Sequence, residues 1–163
     1  MKLVTLILLL SSVLFSYQKG DIISPEMQKT LGMQKDKIYI VDFFASWCHS
    51  CEKEIPYISK VHQKIDANKV EVIGIDVDKD IQKAKAFQED LKSKNSLTFR
   101  VINDPQNSII KEFKPIGMPA LFYVKDFKIV DIIYGAVDNI DEVILADLKR
   151  LQKWLKKLCL CYL

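Results

Sequence analysis

The chain has 163 residues and a net charge of +3, and hydrophobic and charged residues make up 49% and 28% of it. This length and balance predict one globular domain with a single core and argue against a disordered chain. The small charge, without a run of basic residues interleaved with aromatic ones in the body of the chain, argues against a nucleic-acid-binding protein.

Residues 1–20 have the outline of a secretory signal. Lys2 precedes an apolar run from Leu3 to Phe15, which is shorter than the roughly 20 residues of a membrane-spanning helix. No cysteine follows the run, so a lipid anchor is not supported. The pattern predicts export and leaves two outcomes open: a cleaved signal peptide, or an N-terminal membrane anchor ahead of a domain formed by residues 21–163.

The segment after this region, residues 21–37, shows little periodicity and is predicted to be irregular or to hold one edge strand. A nearly continuous apolar run from Ile38 to Phe44 then predicts a strand buried on both faces. The next residues have apolar side chains at helical spacing, and Pro56 lies inside the helix that this spacing predicts. The apolar positions of that helix are Ile55, Ile58, Val61 and Ile65.

The rest of the chain continues with strand and helix patterns. In order, these predict a strand from Val70 to Asp78, a helix from Asp80 to Lys92, a strand from Leu97 to Ile102, a short helix that begins at Asp104 and Pro105, strands from Ala120 to Lys125 and from Lys128 to Tyr134, and a helix from Asn139 to Leu158. The early strands alternate with helices, which indicates parallel pairing. The last two strands are joined too tightly for a crossover and should form an antiparallel hairpin. The predicted fold is α/β, with a mixed central sheet flanked by helices on both faces.

The segment Trp47-Cys48-His49-Ser50-Cys51 places two cysteines between a buried strand and a helix. Unpaired N–H groups and the helix dipole stabilise negative charge at a helix N-terminus, so Cys48 is predicted to be an activated thiolate and the nucleophile of disulfide exchange. Cys51 lies one turn later, where it could bond to Cys48 and resolve a mixed disulfide. Paired cysteines also occur in metal sites and structural bridges, and their spacing alone leaves these alternatives open.

The stretch from Ile40 to Pro56, IVDFFASWCHSCEKEIP, resembles the active-site segment of thioredoxin-fold proteins. Trp47 directly precedes the first cysteine, and Pro56 matches the proline that kinks the family's active-site helix. Gly117-Met118-Pro119 resembles the family's cis-proline loop, and Tyr134-Gly135-Ala136 resembles the end of its last strand. The resemblance implies a thioredoxin-like fold over almost all of residues 38–158, with the cis-proline loop packed against the dithiol.

Within that fold the chain looks most like the TlpA/ResA/CcmG branch of exported thiol-disulfide oxidoreductases. The run from Cys51 to Pro56 fits the branch's Cys-x-x-Glu-x-Pro pattern, and residues 78–104 resemble its insertion after the second strand. The resemblance implies a reductant of exported protein disulfides, with apocytochrome c as the leading substrate and a membrane thiol carrier as electron donor. No cofactor, metal ion or nucleic acid is expected, and the N-terminus would provide any membrane association.

Two carboxylates are candidate catalytic residues beside Cys48 and Cys51. Asp42 lies in the buried strand, where burial would raise the pKa of its carboxyl and allow it to accept and return the Cys51 proton. The alternative is an aspartate paired with a backbone group or a lysine. Glu54 lies three residues beyond Cys51, on the same helix face, where it could tune the dithiol and contact a partner. Its alternative is a glutamate favoured by the helix dipole alone.

Four residues are predicted to bind the substrate: Trp47, His49, Met118 and Pro119. If the Met118–Pro119 bond is cis, the Met118 backbone would pair with an incoming peptide strand and its side chain would be an adaptable apolar contact. Ala120 stands where the family often has threonine. A cationic His49 would favour the thiolate and shift the pair toward an oxidant, whereas the branch pattern predicts a reductant.

Three other functions remain possible from the sequence: a dithiol oxidase or isomerase, a metal-binding chaperone, and a redox-inactive binding module. A copper or zinc site would need further soft ligands near the dithiol. The last helix is apolar on one face and basic on the other, which predicts a docked terminal helix or, alternatively, a membrane-surface helix. Cys159 and Cys161 follow it and have no counterpart in the family pattern.

Overall fold

The structure is a computed structural model that describes the backbone of residues 16–160 and the side chains of residues 16–152. Most of the predicted signal segment, residues 1–15, and the side chains of Cys159 and Cys161 lie outside the described residues. Ser16 and the residues after it contact the domain: the Tyr17 N–H donates to the Phe113 carbonyl and the Gly20 N–H to the Ile129 carbonyl. Within the described part of the chain, no helix is both long and apolar enough to cross a membrane.

The described residues form a five-stranded sheet and five helices. The strands are β1 (Ile38–Phe44), β2 (Val70–Asp76), β3 (Arg100–Asn103), β4 (Ala120–Lys125) and β5 (Lys128–Tyr134); the helices are α1 (Pro25–Thr30), α2 (His49–His62), α3 (Ile81–Ser93), α4 (Ser108–Phe113) and α5 (Ile140–Leu160). The strand order is β3-β2-β1-β4-β5. β2 pairs in parallel with β1 and β3, while β4 pairs antiparallel with β1 and β5. The predicted mixed sheet and terminal hairpin are confirmed.

Helices cover both faces of the sheet, as predicted. Alternate side chains of β1 point to opposite faces: Ile38, Ile40 and Phe44 contact one apolar cluster, and Tyr39, Val41 and Phe43 contact the other. The first cluster includes residues of α2, α3 and α5 together with both motif cysteines, and the second includes residues of α1 and α4. Asp42 has the same parity as Ile40 and Phe44, so its side chain lies on the face covered by α2.

The prediction for residues 21–37 was wrong, because this segment contains helix α1. The hydroxyl of Ser24 caps the helix by accepting a hydrogen bond from the Met27 N–H, and Pro25 occupies its first position. Both are helix-start signals, but the segment has too little apolar periodicity to indicate the helix that follows them. A single bridge between Ile22 and Lys128 is the only strand-like contact of this segment within the described residues.

Two strands are shorter than predicted. Residues 97–99 do not join β3 because the Thr98 N–H donates to the Ser59 hydroxyl in α2 rather than to a neighbouring strand. β2 ends at Asp76, and the Asp78 N–H then turns back to the Asp76 carboxylate at 3.0 Å. In both cases a side-chain oxygen accepts the backbone N–H that would otherwise bond to a neighbouring strand. Strand propensity does not predict such contacts.

The predicted start of the short helix at Asp104 was also wrong, since α4 begins at Ser108 with Asn107 as its N-cap residue. Asp104 nevertheless caps the helix from a distance. Its carboxylate accepts hydrogen bonds from the N–H groups of Ser108, Ile109 and Ile110 at 2.7, 3.0 and 2.9 Å. The residue type was informative, but a turn of three residues separates the cap from the helix.

Candidate active site

The two motif cysteines lie at the N-terminus of α2 and are joined by a disulfide bond. Cys48 is the N-cap residue, and its sulfur accepts a hydrogen bond from the Cys51 N–H at 3.3 Å. This placement follows from the sequence, because a tight connection joins the end of β1 directly to the start of α2. Cys48 and Cys51 are 8% and 1% exposed, so Cys48 is the more accessible of the two cysteines.

The connection before Cys48 is held by a contact that the sequence did not reveal. The Ser46 N–H and hydroxyl donate to the two carboxylate oxygens of Asp78 at 2.7 and 3.0 Å. Asp78 follows β2, which is parallel to β1, so both residues lie at the same end of the sheet. The contact positions the residue that precedes Trp47 and Cys48. Ser46 and Asp78 are far apart in sequence, so their contact becomes visible only when β1 and β2 are paired.

Asp42 is buried on the dithiol side of β1 and is 2% exposed. Its Oδ2 atom has no hydrogen-bond partner among the described residues. Gly74 stands opposite Asp42 in β2, so this position of the neighbouring strand supplies no cation. Burial, and secondarily the negative charge of Glu54, raise the pKa of Asp42 to about 8. Among the described residues, Asp42 is therefore not paired with a lysine.

Glu54 lies close to Asp42 and is itself 5% exposed. Its Oε1 accepts a hydrogen bond from the Val137 N–H at 2.6 Å, which ties α2 to the connection between β5 and α5, whereas its Oε2 has no described partner. Burial raises the pKa of Glu54, and the Val137 N–H partly offsets this. Two neighbouring buried carboxyls therefore both have raised pKa values, and such perturbed pairs are typical of functional sites.

Asp42 lies on the face of β1 that α2 covers, and Cys51 and Glu54 lie on α2. The Cys51 sulfur is 3.9 Å from the carbonyl oxygen of Phe43, the residue after Asp42. Glu54 is one helical turn beyond Cys51 on the same helix. The fold therefore brings together three of the predicted catalytic residues, Cys51, Asp42 and Glu54, behind the more accessible Cys48.

The Met118–Pro119 peptide bond is cis, which agrees with the resemblance to a cis-proline loop. This loop precedes β4, and the pairing of Ala120 with Phe43 places it beside the end of β1 from which the motif emerges. Met118 is half-buried and contacts the apolar cluster that contains both cysteines. The predicted substrate-binding residues Met118 and Pro119 therefore adjoin the dithiol.

Trp47 and His49 are the exposed members of the motif. The Trp47 side chain is 66% exposed, an unusual degree for a large aromatic residue. The His49 Nδ1 atom lies 3.5 Å from the Glu52 carboxylate, one turn along α2. Glu52 was not among the predicted site residues, although its spacing of three from His49 on a helix was a usable signal.

A metal site is one of the alternatives that the Cys-x-x-Cys spacing leaves open. Residues 16–152 contain no group of three or more His, Cys, Asp or Glu side chains arranged to hold a metal ion. The two cysteines are bonded to each other, and His49 pairs with a carboxylate at the surface. The groups around Cys48 are its disulfide partner Cys51 and the buried carboxyls of Asp42 and Glu54.

This arrangement of fold and site defines a thioredoxin-like protein with a Cys-x-x-Cys disulfide, and comparison with known proteins agrees. A model of the AhpC/TSA family matches residues 15–133, and the chain belongs to this family. The thiol-disulfide oxidoreductase ResA of Bacillus thuringiensis subsp. konkukian (strain 97-27) is 32% identical over 127 residues, which are 76% of this chain. The chain covers 65% of that relative's length.

Solved structures show the same fold at lower identity. A candidate thiol:disulfide interchange protein, DsbE, from Chlorobium tepidum superposes with a TM-score of 0.67 at 20% identity, over 83% of this chain and 98% of the other. A secreted Mycobacterium tuberculosis disulfide oxidoreductase homologous to E. coli DsbE gives a TM-score of 0.57 at 22% identity, over 72% and 85%. The predicted thioredoxin-like fold and the resemblance to ResA-type proteins are confirmed.

Proposed function

We propose that the protein is a thiol-disulfide oxidoreductase that reduces disulfides of partner proteins through Cys48 and Cys51. The observation that carries the proposal is the disulfide at the N-terminus of α2, with one sulfur more accessible than the other and the cis-proline loop beside it. The name of the ResA relative, a thiol-disulfide oxidoreductase, supports the same activity.

The reaction begins with the reduced dithiol. The Cys48 thiolate attacks one sulfur of the partner disulfide, forms a mixed disulfide and releases the partner's other sulfur as a thiolate, which takes up a proton. Cys51 then loses its proton and attacks the Cys48 sulfur, which breaks the mixed disulfide and releases the partner's second thiol. The partner gains two electrons and two protons, and the protein is left with the Cys48–Cys51 disulfide. A dithiol donor must reduce it again.

The second step needs an acceptor for the Cys51 proton, and we assign this role to Asp42 with Glu54 beside it. The pKa of Asp42 is raised to about 8, so its carboxylate is a stronger base than that of an ordinary aspartate. A stronger base is a better acceptor for a thiol proton, as general base catalysis requires. Glu54 supports this role because its charge is the second cause of the raised Asp42 pKa.

The proposal includes a location outside the cytoplasm. It is supported by the signal-like residues 1–20 and by the description of the Mycobacterium tuberculosis structural neighbour as secreted. The partners would then be exported proteins with thiols or disulfides, with apocytochrome c as the first candidate from the TlpA/ResA/CcmG resemblance. A membrane thiol carrier would supply the electrons, and residues 1–20 would be either a cleaved signal or an anchor.

The reducing direction is supported by the pattern from Cys51 to Pro56 and by the surroundings of His49. A cation beside Cys48 would favour an oxidant, but the Glu52 carboxylate lies 3.5 Å from the His49 ring and offsets that charge. A dithiol oxidase or isomerase is the competing function, and the two differ in the reduction potential of the same pair.

Two measurements on the purified protein test the proposal. The reduced protein should convert a disulfide-bonded peptide to its dithiol, Cys48→Ser should abolish this reaction, and the matched Cys159→Ser/Cys161→Ser variant should retain it. Equilibration with glutathione or dithiothreitol should give a reduction potential near that of thioredoxin, about −270 mV. A potential near or above about −150 mV, close to that of a strong oxidase, would contradict the reducing direction.

A further inference from the structure

An open groove of about 670 Å³ is lined by residues from the dithiol motif and from the cis-proline loop. Its apolar lining consists of Trp47, Met118, Val77, Ile110 and Pro115. Trp47 is next to Cys48 and Met118 is next to Pro119. A chain bonded to Cys48 and paired with the Met118 backbone would therefore continue into this groove.

Four lysines surround this apolar lining. Lys79 precedes α3, Lys83 lies in its first turn, Lys111 is in α4, and Lys114 directly follows α4. Lys79, Lys83 and Lys111 are exposed and Lys114 is half-buried. These residues come from separate parts of the chain, and only the fold brings them to the same groove.

The groove also contains two aspartates, but both are engaged by the protein itself. Asp78 is 4% exposed and accepts two hydrogen bonds from Ser46. Asp80 caps α3 by accepting hydrogen bonds from the N–H groups of Gln82 and Lys83. None of the four lysines forms an ion pair with a described carboxylate within 4.0 Å. The groove therefore presents positive charge to whatever lies in it.

We propose that this groove binds an extended acidic segment next to the reactive cysteine of the partner protein. The inference rests on the proposed function and adds a substrate class to it. The apolar lining suits the aliphatic parts of a peptide, and the lysines around it would pair with Asp or Glu side chains. Charge complementarity of this kind steers encounter and selects partners more than it adds affinity.

The test compares two disulfide-bonded peptides of equal length. One has Asp and Glu around its cysteines, and the other has Ser and Gln at the same positions. At low ionic strength the reduced wild-type protein should react with the acidic peptide about tenfold faster, because a field of like charges steers oppositely charged ligands. Added salt should shrink this preference, since the lysines are mostly exposed.

Two variants with the same change in net charge locate the effect. The groove variant combines Lys79→Gln, Lys83→Gln, Lys111→Gln and Lys114→Gln. The off-groove variant combines Lys29→Gln, Lys64→Gln, Lys85→Gln and Lys92→Gln, four exposed lysines that do not line the groove. The groove variant should lose the preference for the acidic peptide, while the off-groove variant should keep it. Both should still reduce the small uncharged 2-hydroxyethyl disulfide, which shows an intact dithiol, and each peptide rate is divided by this rate in the same variant.

Three results would overturn the inference while leaving the proposed function in place: no preference in the wild type, an equal loss in both variants, or an equal slowing of both peptides in the groove variant. The second would assign the effect to net charge and the third to folding or chemistry. A wild-type protein that reduces neither peptide would contradict the proposed function itself, and the groove inference with it.

Discussion

The Asp42→Asn substitution should stabilise the oxidised protein at alkaline pH. Asp42 is buried, and burial followed by the charge of Glu54 raises its pKa to about 8. In the unfolded chain the same carboxyl has its ordinary pKa of about 3.9. Between these values the folded protein holds a proton that the unfolded chain has released. Stability from this group is therefore fully present below about pH 4 and is lost as the pH rises through about 8.

The size of the effect follows from the two pKa values. Each unit of difference corresponds to about 1.4 kcal/mol, and the linkage relation gives a loss of about 4 kcal/mol between pH 5 and pH 9 for this one group. This is a large part of the 5–15 kcal/mol by which a typical domain is stable. Asparagine keeps the shape of the protonated carboxyl and does not titrate, so the Asp42→Asn protein should not show this loss.

Urea unfolding of the oxidised proteins at pH 5, 7 and 9 measures the difference directly, because titrations common to both proteins cancel. The free energy of unfolding of Asp42→Asn minus that of the wild type should rise by several kcal/mol from pH 5 to pH 9. The matched control is Asp138→Asn, which changes an exposed aspartate and should give a flat difference. A flat difference for Asp42→Asn, or one that falls with pH, would refute the account of a buried carboxyl without a counter-ion.

Three further substitutions test other parts of the site and its supports. Glu54→Gln removes the neighbouring charge and should lower the pKa of Asp42, which carbon-13 NMR of the carboxyl would record; an unchanged or raised value would contradict their coupling. Gly74→Ala places a Cβ 2.7 Å from the Phe44 ring and should cost about 1–3 kcal/mol of stability in urea unfolding; a neutral effect would mean that the ring moves freely. Asp104→Ala removes the distant cap of α4 and should lower stability by about 1–2 kcal/mol, with Asp104→Asn less affected; equal losses would point to a role other than capping.

Much of the fold was readable from the sequence because its strands are strongly patterned. All five strands were predicted, and β1, β4 and β5 have the predicted bounds, since each is rich in β-branched and aromatic residues. The position of Cys48 at the start of α2 followed from the pattern around it, and the cis bond at Pro119 from the family resemblance. Helix α1 was missed because it is only six residues long, too short for periodicity to reveal.

What the sequence could not supply depends on strand register and on contacts between distant segments. That Gly74, which has no side chain, lies opposite Asp42 is known only once β1 and β2 are paired. The hydrogen bond from Val137 to Glu54 joins residues 83 positions apart. The groove lysines likewise look like ordinary solvated side chains until α3, α4 and the cis-proline loop are placed together.

The central claim, that Cys48 attacks and Cys51 resolves, is tested most directly by trapping the mixed disulfide. In a Cys159→Ser/Cys161→Ser background, the Cys51→Ser variant should accumulate a covalent adduct with a disulfide-bonded peptide, and mass spectrometry should locate it on Cys48. The Cys48→Ser variant should form little adduct, because Cys51 is almost fully buried. Adducts of equal yield in both variants, or an adduct mainly on Cys51, would contradict the assignment of attacker and resolver.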